Sequence, residues 1–273
     1  RRANGPVQNR YIPYFPVAAR LSDSKNNQNQ NATTTYFAIG LENGSLAHHW
    51  LQQCASLADV PTVFQQGMQQ ALLPLQQTCL EFQEATNQQF QRQNNQEDDS
   101  NPTTCAIQYV GMDTSLNPSL APTGSVAGAL EALPEVTEFG GPGSLAAAQA
   151  VTRAIQSLSD ITTTGYCGLM LPLCEDARLA QLSESSSSFN IANLLSISAV
   201  CGVGVDTVPL PGNVSTQELQ SLYLDVGALA HRYNKSLSCR VFPLVGKQVG
   251  EWTPFEDSPH MMNAKIMSLS SRP

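Results

Sequence analysis

Charge is scarce in this sequence, and most of it is negative. Only 13% of the 273 residues are charged, with 14 Lys and Arg against 22 Asp and Glu, a formal net charge of −8. That balance argues against nucleic acid and anionic membrane as main partners, because both need a basic footprint. No apolar run approaches bilayer length, so no membrane partner is expected. Histidine is also rare: the four residues are His48, His49, His231 and His260, and none sits in a zinc-type spacing. A G-x-S-x-G nucleophile elbow is missing, which disfavours a serine hydrolase. The seven cysteines are widely spaced with no C-x-x-C. Four of them (Cys105, Cys167, Cys201, Cys239) fall in apolar runs where a thiol behaves as a small hydrophobe. A reduced, cytoplasmic protein is the expectation. Sequons at Asn31, Asn43, Asn213 and Asn234 pull toward the secreted alternative.

What is present points to a single α/β domain over residues 1–273. Hydrophobic residues make up 41%, enough for one large core. Polar, low-complexity stretches near residues 22–32, 93–103 and 183–188 read as loops. Strands are predicted at residues 34–41, 104–110, 165–172 and 237–244. Helices are predicted at residues 61–92, interrupted at Pro74 by a kink or a break, at 145–158, and from the capping box Ser215-x-x-Glu218 to Tyr233.

The chain looks organised around residues 198–212. This stretch begins as a continuous apolar run, the pattern of a strand buried on both faces. It turns polar at Asp206 and Thr207, then stiffens at Pro209 and Pro211. A buried strand that delivers a carboxylate and a hydroxyl into a rigid loop is a frequent active-site layout. Gly111-Met-Asp113-Thr114 echoes Gly204-Val-Asp206-Thr207. Either the two Asp residues converge on one pocket, or each caps a following turn.

Further candidates follow the same logic. Glu175 stands just past the third predicted strand. Arg240, inside an apolar strand, needs a carboxylate partner, with Asp206 and Asp113 as the candidates. Lys247, between Gly246 and Gly250, can approach a ligand closely. Gly141, Gly143 and Ser144 open a helix, either as an anion cradle or as a simple cap.

Several stretches together resemble the family catalogued as domain of unknown function 711, whose relatives include the UPF0210 proteins. They are Ile12-Pro-Tyr-Phe-Pro-Val-Ala, Phe37-Ala-Ile-Gly-Leu-Glu42, residues 165–176, residues 203–212 and Arg240-Val-Phe-Pro-Leu-Val-Gly-Lys247. The resemblance implies an α/β barrel related to the glycyl-radical enzymes exemplified by pyruvate formate-lyase, without the radical loop. Cys167 and Cys201 match the radical-type cysteine only by position, and an inert buried thiol is the simpler assignment. The resemblance also implies a longer protein with an N-terminal portion, so this chain, which starts at Arg1, is expected to be a fragment or processed product. Such a fragment would self-associate or pair with the missing portion.

Functionally, the pattern suggests an enzyme acting on a small polar or anionic metabolite. Asp206, Asp113 and Glu175 would serve as acid–base groups or hard-metal ligands. Thr207, Lys247, Arg240, Gly141, Gly143 and Ser144 would hold the ligand. The alternative is a non-catalytic ligand-binding or assembly protein on an enzyme-like scaffold. No residue pattern names a cofactor or a particular metal.

Overall fold

The computed structural model describes residues 33–94, 105–185 and 189–269. The expectations for residues 1–32, 95–104 and 186–188 lie outside them; residues 183–185, predicted as the start of a loop, are instead the last turn of a helix. Four strands and seven α-helices are found among the described residues: β1 (Thr33–Gly40), α1 (Gly44–Leu51), α2 (Gln65–Asn94), β2 (Cys105–Asp113), α3 (Val126–Glu131), α4 (Ser144–Gln156), α5 (Ala177–Ser185), α6 (Ile191–Cys201), β3 (Gly204–Pro211), α7 (Thr216–Tyr233) and β4 (Ser238–Leu244). The class is mixed α/β.

Strand pairing is parallel throughout the sheets. β1 pairs with β2, and β3 with β4. Between the two pairs runs the segment 163–172, of which residues 165–172 were predicted as a regular strand. It makes only isolated parallel bridges, Met112 with Thr163, Leu116 with Leu169 and Pro172 with Asp206. The cause is local. The Asp113 side chain takes the backbone N–H groups of Tyr166 and Cys167 at 2.9 and 3.0 Å, displacing the carbonyls that a ladder would have used. The segment still links β2 to β3, so the strand order follows the sequence order. No closed barrel exists among the described residues.

The organising stretch divides differently from the prediction. Residues 198–201 close α6 rather than open a strand. An Asn190–Asn193 capping box starts this helix, and Gly202 ends it in the left-handed region at φ 68°. A short apolar run fits a helix and a buried strand equally well, and here the caps decide. Asp206 and Thr207 consequently lie within β3, not in a loop beyond it. Pro209 and Pro211 are accommodated because the Pro209 carbonyl accepts from Met267 N at 2.9 Å. That face of the strand points away from β4, so the missing N–H groups cost no ladder bond.

Two helices depart less from expectation. α2 continues through Pro74 as one helix; Pro74 and Gln70, whose carbonyl loses its intrahelical donor, both lie on the exposed face. α7 has its Ser215–Glu218 capping box and stops at Asn234, φ 50°. One hydrophobic cluster runs from Ala47 in α1 to Met267 beyond β4.

Candidate ligand cleft

A cleft of about 900 Å³ opens against one face of β4, where Ser238, Arg240 and Phe242 alternate toward it. β3 supplies Asp206, the irregular segment supplies Tyr166 and Met170, and Glu175 follows that segment. Glu42 lies just past β1, and Asn117 and Ser119 just past β2. Each rung of the parallel order thus contributes to a single concavity. The chain beyond β4 folds back through a Trp252–Lys265 bridge and brings His260 and Met261 to the rim.

The polar centre is Arg240. Its Nε donates to Asp206 Oδ1, and its Nη2 donates to Asp206 Oδ2 at 3.1 Å and to Glu175 Oε1 at 2.9 Å. Asp206 is buried, its side chain 5% exposed, whereas the Arg240 side chain is 45% exposed. Those bonds use three of the five guanidinium donors. The Nη1 nitrogen has no hydrogen-bond partner among the described residues. Burial raises the Glu175 carboxyl above its ordinary range; the Arg240 charge opposes the rise and Asp206 adds to it.

Backbone strain collects at the same place. Among the described residues three non-glycine positions have left-handed φ: Cys167 at 47°, Thr207 at 44° and Asn234 at 50°. Asn234 is the α7 cap. The other two directly follow the cleft residues Tyr166 and Asp206, and each such conformation costs of order 1 kcal/mol or more. Thr207 is held by accepting the Cys174 N–H at 3.2 Å on its hydroxyl. Tyr166 is braced by Lys235, whose Nζ donates to its carbonyl at 3.0 Å and lies 5.5 Å from its ring centroid. Burial lowers the Lys235 ammonium and, with the Asp206 and Asp113 charges, raises the Tyr166 phenol.

The structure unites Asp206, Glu175 and Arg240 in the cleft and separates the other candidates from it. Asp113 is buried, not exposed at a strand end. Its carboxylate accepts from Ser115 N and Oγ at 3.0 and 2.6 Å besides the two amides already described, and it does not line the cleft. Its echo with Asp206 is real in the backbone, since Gly111 and Gly204 both have positive φ. The partners diverge: amides take one aspartate, and an arginine takes the other. Lys247 is half-buried after β4 and does not line the cleft. Gly141, Gly143 and Ser144 form the turn into α4 elsewhere in the fold. There the Ser144 hydroxyl accepts from Gly140 N at 3.0 Å and donates to the Glu138 carbonyl at 3.3 Å. Among the described residues no group of three or more His, Cys, Asp or Glu is placed to hold a metal ion. Tyr166 and Glu42 escaped the sequence reading because isolated residues carry no spacing signal, whereas the irregular tail through His260 does pack over the cleft as its sequence suggests. Only the strain beside Tyr166 marks it, and that is invisible before folding.

Glu42, Tyr166, Met170, Glu175, Asp206, Arg240 and Phe242 of the cleft fall in stretches that carried the sequence resemblance. The family model described as "Uncharacterised ACR (DUF711)" matches residues 7–258. The chain belongs to this family. Among relatives, the UPF0210 protein of Limosilactobacillus reuteri (strain DSM 20016) is 30% identical over 152 residues, covering 55% of this chain and 34% of its own length. That of Desulforudis audaxviator is 31% identical over 147 residues, 53% of this chain and 32% of its own. That of Pyrobaculum arsenaticum is 32% identical over 149 residues, 54% and 33%. The matched part of this chain spans about a third of the length of these curated relatives. The family is uncharacterised, and no described helix is long and apolar enough to cross a membrane.

Proposed function

We propose that the cleft binds a small metabolite through an acceptor oxygen on Arg240, and that Glu175 acts there as an acid–base group. The observation that carries this is the division of Arg240: three donors anchored by Asp206 and Glu175, two on Nη1 left for a ligand. A guanidinium fixed on one edge and open on the other is preorganised for a carboxylate, phosphate or polarised carbonyl. A carboxyl raised by burial is closer to the working range of a general acid or base. The strain at Cys167 and Thr207 supports a functional assignment of the same place.

Several finer structural expectations belong with this reading. Strand order that follows sequence order, with every pair parallel, is what a barrel wall requires, and the cleft would occupy its concave face. The single-domain reading is supported by the continuity of the core cluster. β1 and β4 pair with no further strand among the described residues, which supports pairing with additional chain or a second copy. The seven cysteines are free, which supports a reducing, cytoplasmic setting. Roles for Lys247 and for the Gly141–Ser144 turn in ligand binding would require a second site. The non-catalytic alternative keeps the same cleft and drops the proton transfer.

A thermal-shift screen of small carboxylates, phosphates and carbonyl compounds tests the proposal on the wild type and Arg240→Gln. A ligand at a hundred times its Kd adds about 2.7 kcal/mol, several degrees in Tm, and the variant should lose the shift. A full-sized shift in the variant, or none with any compound in the wild type, would overturn it. Glu175→Gln that binds but no longer turns the ligand over would favour the enzyme over the binding protein.

A further inference from the structure

The ionisable lining of the cleft is unbalanced. Three carboxylates, Glu42, Glu175 and Asp206, face one guanidinium, with His260 at the rim. Glu175 and Asp206 are already committed to Arg240. Glu42 is not: it is exposed and makes no hydrogen bond or ion pair among the described residues. A ligand bearing only negative charge would gain the Nη1 contact and then meet an uncompensated carboxylate. A ligand bearing a cationic nitrogen as well would satisfy both.

The spacing of those two groups follows from the strand order. Glu42 lies past the end of β1 and Arg240 is on β4, with β2, the 163–172 segment and β3 between them. Four inter-strand steps amount to roughly 19 Å along a flat sheet, and sheet curvature shortens the direct path. The two charges of the ligand are therefore set apart, not carried on one carbon. The cleft is also lined by Leu120, Met170, Phe242 and Met261, which favour an apolar connecting body.

We infer that the ligand is an elongated zwitterion: an anionic oxygen at Arg240 Nη1, a cationic nitrogen at Glu42 and an apolar chain between, as in an ω-amino acid or a short apolar peptide. This deepens, and rests on, the assignment of the cleft as a small-molecule site.

Calorimetric titration of the chain with ω-aminooctanoate, the longer ω-aminododecanoate, leucine, octanoate and octylamine tests it. Each separated zwitterion should bind more tightly than leucine, octanoate or octylamine. Glu42→Gln should weaken the zwitterions by about fivefold, the scale of an exposed ion pair, and leave octanoate binding no weaker than in the wild type. Arg240→Gln should weaken zwitterions and octanoate alike. If octanoate binds as tightly as both ω-amino acids, or Glu42→Gln does not discriminate octanoate from either, the zwitterion is wrong. In that case Arg240-dependent octanoate binding leaves the small-molecule site standing. Wild-type protein that binds no probe contradicts both.

Discussion

At the scale of single residues, each carboxylate takes its role from the donors that satisfy it. Glu175 ionises at higher pH in the folded chain than its ordinary 4.5, first because burial penalises its charge. Folding thus holds its proton more tightly. The stability it contributes is complete below pH 4.5 and declines as pH rises through the raised folded value. The stability advantage of wild type over Glu175→Gln should accordingly shrink between about pH 4.5 and neutrality, as followed by denaturant melts at stepped pH. A constant difference would refute the assignment. Gly165 has φ 77°, and a Cβ there would come within 2.2 Å of Asp113 Oδ2. Gly165→Ala combines left-handed strain with displacement of a buried carboxylate and should cost about 3 kcal/mol, measured by the same melts. The sequence offered Asp206 and Asp113 alike as partners of Arg240 or as turn caps, and only the fold assigns the arginine to Asp206 and the Ser115 turn to Asp113. What separates them is which donors fold against each.

At the scale of elements, end groups were the most readable feature and short apolar runs the least. The Ser215–Glu218 box located α7 from sequence because its side chains bond within one turn. Ser215→Ala should lower stability by about 1 kcal/mol. The strand start at Ser198 failed because the Asn190–Asn193 box and Gly202 outweigh a run that suits either structure. The 163–172 segment failed because Asp113, more than fifty residues away from Tyr166 and Cys167, supplies its acceptors. Asp176 shows the same long reach. Fully buried, it accepts from Ser125 Oγ at 2.5 Å, Val126 N at 2.7 Å and Ala127 N at 3.2 Å at the start of α3. It also accepts from Arg178 N at 3.0 Å and Leu179 N at 3.1 Å in α5. One carboxylate caps two helices. Asp176→Ala strands these donors together and should cost about 3–5 kcal/mol, read from the denaturation midpoint.

At the scale of the whole molecule, the α/β class was legible from the alternation of apolar runs and amphipathic stretches. The strand order was not, since neighbour relations depend on contacts across the chain. One core cluster joins α1 to the residues beyond β4. The two tryptophans, Trp50 in α1 and Trp252 in the returning tail, sit near its two ends. Single-tryptophan variants should therefore unfold with coincident denaturant midpoints; separated midpoints would divide the chain into independent units.

The central claim concerns one nitrogen, and arginine side-chain NMR observes it most directly. In a titration of the chain with octanoate, one guanidinium resonance should shift saturably and be missing from the spectrum of Arg240→Gln. The other arginine signals should stay in place. No guanidinium shift, or a shifting signal that persists in Arg240→Gln, would contradict the assignment of Arg240 as the group that receives the ligand.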